Sequence, residues 1–205
     1  MMALTNLFIL LMATVFLPAG MENKVPVHQN KWVLLKTCKV VVNGFTNISK
    51  FTCSAVDYAG NDTITCFTGK TGGKDIAMQG SIALPVWGFD CMNKAMTKDL
   101  RKTLKEKEYP FFVIHFLSID KYPALQAVAE NVQGKVSIEL AGIRKDLDVC
   151  YRISMSGQGA AEIKVTKDIY FSDFNLVPPH KMGGLVRAGN KLNVEFVIHF
   201  RVIAS

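Results

Sequence analysis

Five cysteines and four histidines are the residues of this chain best suited to covalent or metal chemistry. Their spacing supports neither. Cys38, Cys53, Cys66, Cys91 and Cys150 contain no C-x-x-C pair, and none stands at zinc-ligand spacing from His28, His115, His180 or His199. An odd number of cysteines leaves at least one thiol outside any internal disulfide. Gly69-Lys70-Thr71 has the ending of a phosphate-binding loop, but Ile64 occupies the place of the leading glycine. No G-x-S-x-G elbow offers a nucleophilic serine. Asn47-Ile48-Ser49 and Asn61-Asp62-Thr63 are glycosylation sequons, which matter only in a eukaryotic secretory route. An enzyme acting on a lipid or isoprenoid would need a polar cluster deep in a cavity, and the sequence displays no nucleophile–base set for one.

The elements that would position these residues are mostly strands. Val136, Ile138 and Leu140 alternate with Ser137 and Glu139. Leu147, Val149, Tyr151, Ile153 and Met155 share a face, as do Ala161, Ile163 and Val165. The run Leu192, Val194, Phe196, Ile198, Phe200, Val202 is the longest. Further strands are expected around 40–45, 49–53, 63–68, 81–86 and 111–119, with turns at Gly60-Asn61-Asp62, Gly72-Gly73, Ala141-Gly142, Ser156-Gly157 and Gly189-Asn190. One stretch breaks the alternation. Met96, Leu100 and Leu104 recur every fourth residue and predict an amphipathic helix over about 93–106, ending before Pro110. A shorter helix is expected at 123–131. The helix carries Lys94, Lys98, Arg101, Lys102 and Lys105 opposite its apolar stripe, a face suited to transient contact with an anionic membrane. Eight or nine such strands specify a sandwich or a barrel, and periodicity alone does not choose.

Composition agrees with one globular domain: 205 residues, 49% hydrophobic and 20% charged. Lys and Arg outnumber Asp and Glu by 24 to 17, yet no basic block interleaves with aromatics, so nucleic acid is not an expected partner. Met1–Gly20 carry no charge, and Leu7–Leu17 is apolar apart from Thr14. Such a segment is too short to span a bilayer as a helix and suits a secretory signal, with cleavage near Gly20 or retention as an anchor as the two outcomes. The expected organisation is a signal at 1–20, a lead-in at 21–37 and a domain at 38–205.

Five motifs, in order over roughly Cys38 to Val202, resemble the YceI-like proteins of the Bacteroidetes group. They are the run Val42–Cys53 (VNGFTNISKFTC), the run Leu84–Met96 (LPVWGFDCMNKAM), Asp99-Leu100 with Leu104-Lys105 and Tyr109-Pro110, the run Leu140–Lys145 (LAGIRK), and Asp173-Phe174 with Pro178-Pro179 and Gly184-Leu185. The resemblance implies an all-β, lipocalin-like antiparallel barrel of about eight strands with one helix laid against it. It also implies an apolar tunnel holding a polyisoprenoid, an isoprenoid quinone or a fatty lipid in the periplasm, without catalysis and without a covalent cofactor. The residues that would line it are Val136, Ile138, Leu140, Val149, Tyr151, Ile153, Ile163, Val165, Phe196, Ile198 and Phe200, with Met96 and Leu100 from the helix. His180 and Lys181, in the turn-rich segment after Pro179, are the candidate headgroup contacts. Cys53 and Cys91 both fall within matched segments and are the expected disulfide, tying a strand to the start of the helix. A barrel filled by its own side chains, binding a protein instead of a lipid, is the alternative.

Overall fold

In the computed structural model, which describes residues 28–55, 58–69, 75–156 and 159–204, the chain forms thirteen strands and one α-helix. In chain order the strands are β1 (His28–Leu34), β2 (Lys39–Thr46), β3 (Lys50–Ala55), β4 (Thr63–Thr68), β5 (Ile76–Gln79), β6 (Ser81–Pro85) and β7 (Phe89–Asp90). The helix α1 (Lys94–Thr103) follows. Then come β8 (Phe111–Ile119), β9 (Glu130–Leu140), β10 (Ile143–Ser156), β11 (Ala160–Tyr170), β12 (His180–Lys181) and β13 (Val186–Ala204). The expected signal at 1–20, its cleavage near Gly20, and the Gly72-Gly73 turn with Lys70 and Thr71 lie outside the described residues.

Eight strands close a ring in the order β1, β4, β5, β8, β9, β10, β11, β13, and back to β1, with every pairing antiparallel. The alternating residues read from the sequence send one face inward, where Val132, Ile138, Ile153, Ile163 and Phe200 are buried in a single apolar cluster. The β9–β10 hairpin turns on Ala141 and Gly142, with φ of 50° and 79°. Two successive positive φ values match the right-handed twist of the flanking strands, and Gly142 takes its own at no steric cost.

Two long strands are made in two pieces. Leu34 faces Phe200 and Val40 faces Phe196, so β1 and β2 run one after the other along the same side of β13. A bend at 35–38 separates them, held by Leu35 N–H donating to the His199 carbonyl at 2.8 Å. Likewise β5 and β6 follow each other along β8, with Gly80 between them at φ 151°. Beyond the bends the sheet splits. β2, β3 and β7 form a flap on one side and β6 borders the other. The helix α1 follows from the flap.

The structure departs from the sequence reading at several points, one of them the ring strand β5, which the alternation did not mark. The barrel includes β1, so within the described residues the domain starts at His28 and not at Cys38; Trp32 and Leu34 are its inward residues. No helix forms at 123–131. Glu130 instead accepts Ala124 N–H at 2.8 Å and pairs with Lys121 at 2.6 Å, pinning an irregular loop, and Asn131 already belongs to β9. Gly189-Asn190 is a bulge inside β13, where pairing with β2 slips between Ala188 and Leu192. Cys66 sits buried within β4, and Cys38 is buried in the bend before β2.

Candidate functional site

The site grows from the way α1 is fastened to the flap. Asn93 caps the helix, its side-chain oxygen accepting the N–H groups of Ala95 and Met96 at 3.0 Å each. Thr97 Oγ1 donates to Asp90 at 3.1 Å and accepts Cys91 N–H at 2.9 Å. Arg101 donates through Nε and Nη2 to the Phe89 carbonyl at 3.1 and 2.9 Å, so this cation is committed to structure. The Cys53–Cys91 disulfide joins β3 to the segment leading into the helix, the pairing expected from the matched motifs. Thr97, Leu100 and Leu104 consequently face inward, while Lys94, Lys98, Lys102 and Lys105 form an exposed stripe.

Between α1, β2, β3, β12 and the start of β13 lies an apolar pocket of about 240 Å³. Leu100, Phe171 and Cys53 line it with buried side chains, and Met96 and Phe51 with partly buried ones. Asn93, Asp99, His180 and Lys181 supply its polar rim. Lys181 Nζ meets Asp99 at 2.8 Å, an ion pair that bridges β12 and the helix beside the pocket. More open hollows adjoin it, one of about 430 Å³ around Val177, Pro178 and Arg187. The deeper, apolar one is the candidate site, because ligand pockets are concave and mainly apolar with few polar groups.

The thirteen candidate lining residues divide between two places. Met96 and Leu100, together with the headgroup candidates His180 and Lys181, are gathered at the pocket beneath α1. Val136, Ile138, Val149, Tyr151, Val165, Phe196 and Ile198 surround a separate void inside the ring, of only about 20 Å³. That volume admits roughly one water. Ile153, Ile163 and Phe200 are packed solid, Phe200 stacked on Trp32 at 4.6 Å between centroids, and Leu140 lies partly buried against the same core. The tunnel implied by the resemblance is therefore filled in this structure, as suits an eight-stranded ring whose interior is just wide enough for its side chains. Phe112 over Phe196 at 5.9 Å contributes to the filling.

Sequence reasoning missed Phe51, Phe171, Thr46, Val186 and Ala188 as pocket residues. They come from segments far apart in the chain and alternate no differently from core positions. The Pro178-Pro179 pair was the one local signal at this rim.

The remaining polar groups are quiet. Burial pushes the Cys66 thiol up to about 12 and also raises that of Cys38, so both stay protonated near neutrality. Tyr151 is raised too, first by burial, and its hydroxyl has no protein partner. Cys150 is exposed on β10.

No protein-family model matches the chain, and no curated protein matches it. Solved structures do match. BcnA of Burkholderia cenocepacia superposes with a TM-score of 0.60 at 14% identity, over 82% of this chain and 98% of its own. A polyisoprenoid binding domain from Saccharophagus degradans, implicated in plant cell wall breakdown, gives 0.60 at 11% identity over 84% and 98%. A YceI protein of Campylobacter jejuni gives 0.46 at 16% identity over 59% and 70%, an overlap too partial to bear weight. The chain shares with the first two a lipocalin-like all-β barrel fold.

Proposed function

We propose that this protein is a non-catalytic, exported carrier of an amphiphile with an apolar tail, seated in the pocket beneath α1. The observation that carries the reading is the pocket itself: about 240 Å³ with apolar walls and an imidazole, an ammonium and a carboxylate at its rim. Apolar burial contributes about 0.8 kcal/mol per methylene, so the apolar walls supply most of the binding energy, and the rim groups orient the headgroup. Small-molecule pockets run to about 300–1,000 Å³, so this one holds the first part of a long tail, and a polyisoprenoid or quinone would have to displace side chains of the ring to go deeper. The Saccharophagus degradans neighbour is described as polyisoprenoid binding, which favours that ligand class. The disulfide suits an oxidising compartment, the periplasm in the carrier reading.

The test is native mass spectrometry of the protein taken from its own compartment, followed by organic extraction. A stoichiometric lipid that disappears in Met96→Trp, where an indole enters the pocket from the helix, supports the carrier. A bare chain that stays bare with added isoprenoid quinone overturns it. The filled ring, with its 20 Å³ void, favours a second reading, a protein-interaction module that carries no lipid, and that second outcome would select it.

A further inference from the structure

The exposed large apolar residues are not scattered over the barrel. Among the described residues eleven are exposed: Phe45, Ile48, Trp87, Met92, Tyr109, Phe111, Val128, Tyr170, Val177, Leu185 and Ile203. The strand registers place the β2–β3 turn, the end of β6, the start of β8, the β9–β10 turn, the end of β11 and the start of β13 at one end of the ring. Nine of the eleven lie there; Val128, in the β8–β9 loop, and Ile203 stand at the other end. This is also the end that carries α1 and the pocket.

The same end is ringed with cations. Lys94, Lys98 and Lys102 project from the outer face of α1 and enter no ion pair among the described residues. Lys50 lies over the Phe45 ring at 5.7 Å, and Arg187 borders the hollow that contains Val177. Val177 in turn shares a groove with Asp99 and Lys102, which makes the apolar patch continuous with the pocket rim and the lysine stripe. Asp90 and Glu106 border an open hollow with Lys94, Lys98 and Arg101, so three cations face two carboxylates there and the balance stays basic. Side chains of this kind, apolar and aromatic tips among lysines whose stems cover apolar surface, are matched to a bilayer interface with an anionic headgroup layer.

We infer that this end of the barrel docks on an anionic lipid bilayer, with Ile48, Val177, Leu185 and Trp87 entering the headgroup region and the α1 lysines facing the phosphates. The inference deepens the carrier reading and rests on it for its purpose, which is to bring the pocket mouth to the membrane where an apolar ligand is loaded or released.

The chain supplies its own reporter, since of its two tryptophans Trp32 is fully buried and Trp87 exposed. Full-length protein would be mixed with vesicles of equimolar phosphatidylcholine and phosphatidylglycerol, with brominated acyl chains and no isoprenoid. Trp87 emission should shift to the blue and be quenched, and should respond far less to pure phosphatidylcholine. Each lysine near such a surface contributes about 1 kcal/mol, so Lys94→Glu/Lys98→Glu/Lys102→Glu should weaken binding at least about tenfold. These positions are exposed, and an unchanged circular dichroism spectrum checks folding. Sedimentation with vesicles without quenching of Trp87 would place the contact elsewhere, at the apolar N-terminal segment, and overturn the inference. Binding unaffected by the triple reversal, or self-association in place of vesicle binding, would overturn it as well. Because the vesicles carry no isoprenoid, failure here leaves the lipid-extraction result standing on its own.

Discussion

Breaking the Cys53–Cys91 bond is the most informative perturbation of the site. The bond closes a loop with a sequence separation of 38, and chain-entropy arithmetic for a loop of that size gives about 3.9 kcal/mol at room temperature. For a domain of this length each kcal/mol moves the melting temperature by about 2–4 °C, so Cys53→Ala/Cys91→Ala should melt roughly 8–16 °C lower. In urea, with a slope of about 2 kcal/mol/M, the midpoint should fall by about 2 M. The loss should be uneven in space. Without the bond, α1 is held by the hydrogen bonds of Thr97 and Arg101, the Asp99–Lys181 ion pair and the packing of Leu100 and Leu104. Amide exchange of 94–103 should therefore rise well before that of β9, β10 and β11, whose ladders do not depend on the bond. A double variant within about 1 kcal/mol of the parent, with the helix amides still protected, would refute the claim that the disulfide fixes the helix over the pocket.

Two further outcomes follow from the packing. Leu100, buried beneath α1, is shared between the core and the pocket, so Leu100→Ala should cost about 2–5 kcal/mol in urea denaturation and enlarge the pocket; a cost near zero would mean the helix is not seated as described. The Cys66 thiol is held up to about 12 by burial against an ordinary value of 9.0, so above pH 9 the unfolded chain releases a proton that the folded chain keeps. Stability is therefore intact below that pH and should fall between about pH 9 and 12, with a limiting slope of about 1.4 kcal/mol per unit; a Cys66→Ala profile as steep as the parent's would assign the loss to other groups.

Period-two alternation made six of the eight ring strands legible, all but β1 and β5, and spacing of four made α1 legible, because burial of one face leaves its period in the sequence. The strand β1 escaped because only Trp32 and Leu34 of His28–Leu34 turn inward, too few to register as alternation. The state of the interior was illegible for another reason. Whether Phe112, Phe116 and Phe196 leave a tunnel or fill it depends on ring radius against side-chain volume, and both readings need the same inward apolar residues. His180 and Lys181 were found through a turn-rich segment, but the Asp99 partner of Lys181 lies eighty-two positions earlier and leaves no local trace.

The long last strand has a consequence for how the molecule is made. β13 is the neighbour of β1, β2 and β11, and Asn30 finds its partner in Ala204. A ribosome releases the chain from its N-terminus, so β1 and β2 emerge long before the strand that flanks them both. Co-translational folding can build the β9–β10–β11 meander early, but the ring stays open until β13 has been made. Such non-local closure slows folding and leaves the first strands unpaired on that side in the interval. A stop codon just before residue 186 would leave β1, β2, β11 and β12 without their shared neighbour at once, so β13 decides whether strands made much earlier have anything to close against.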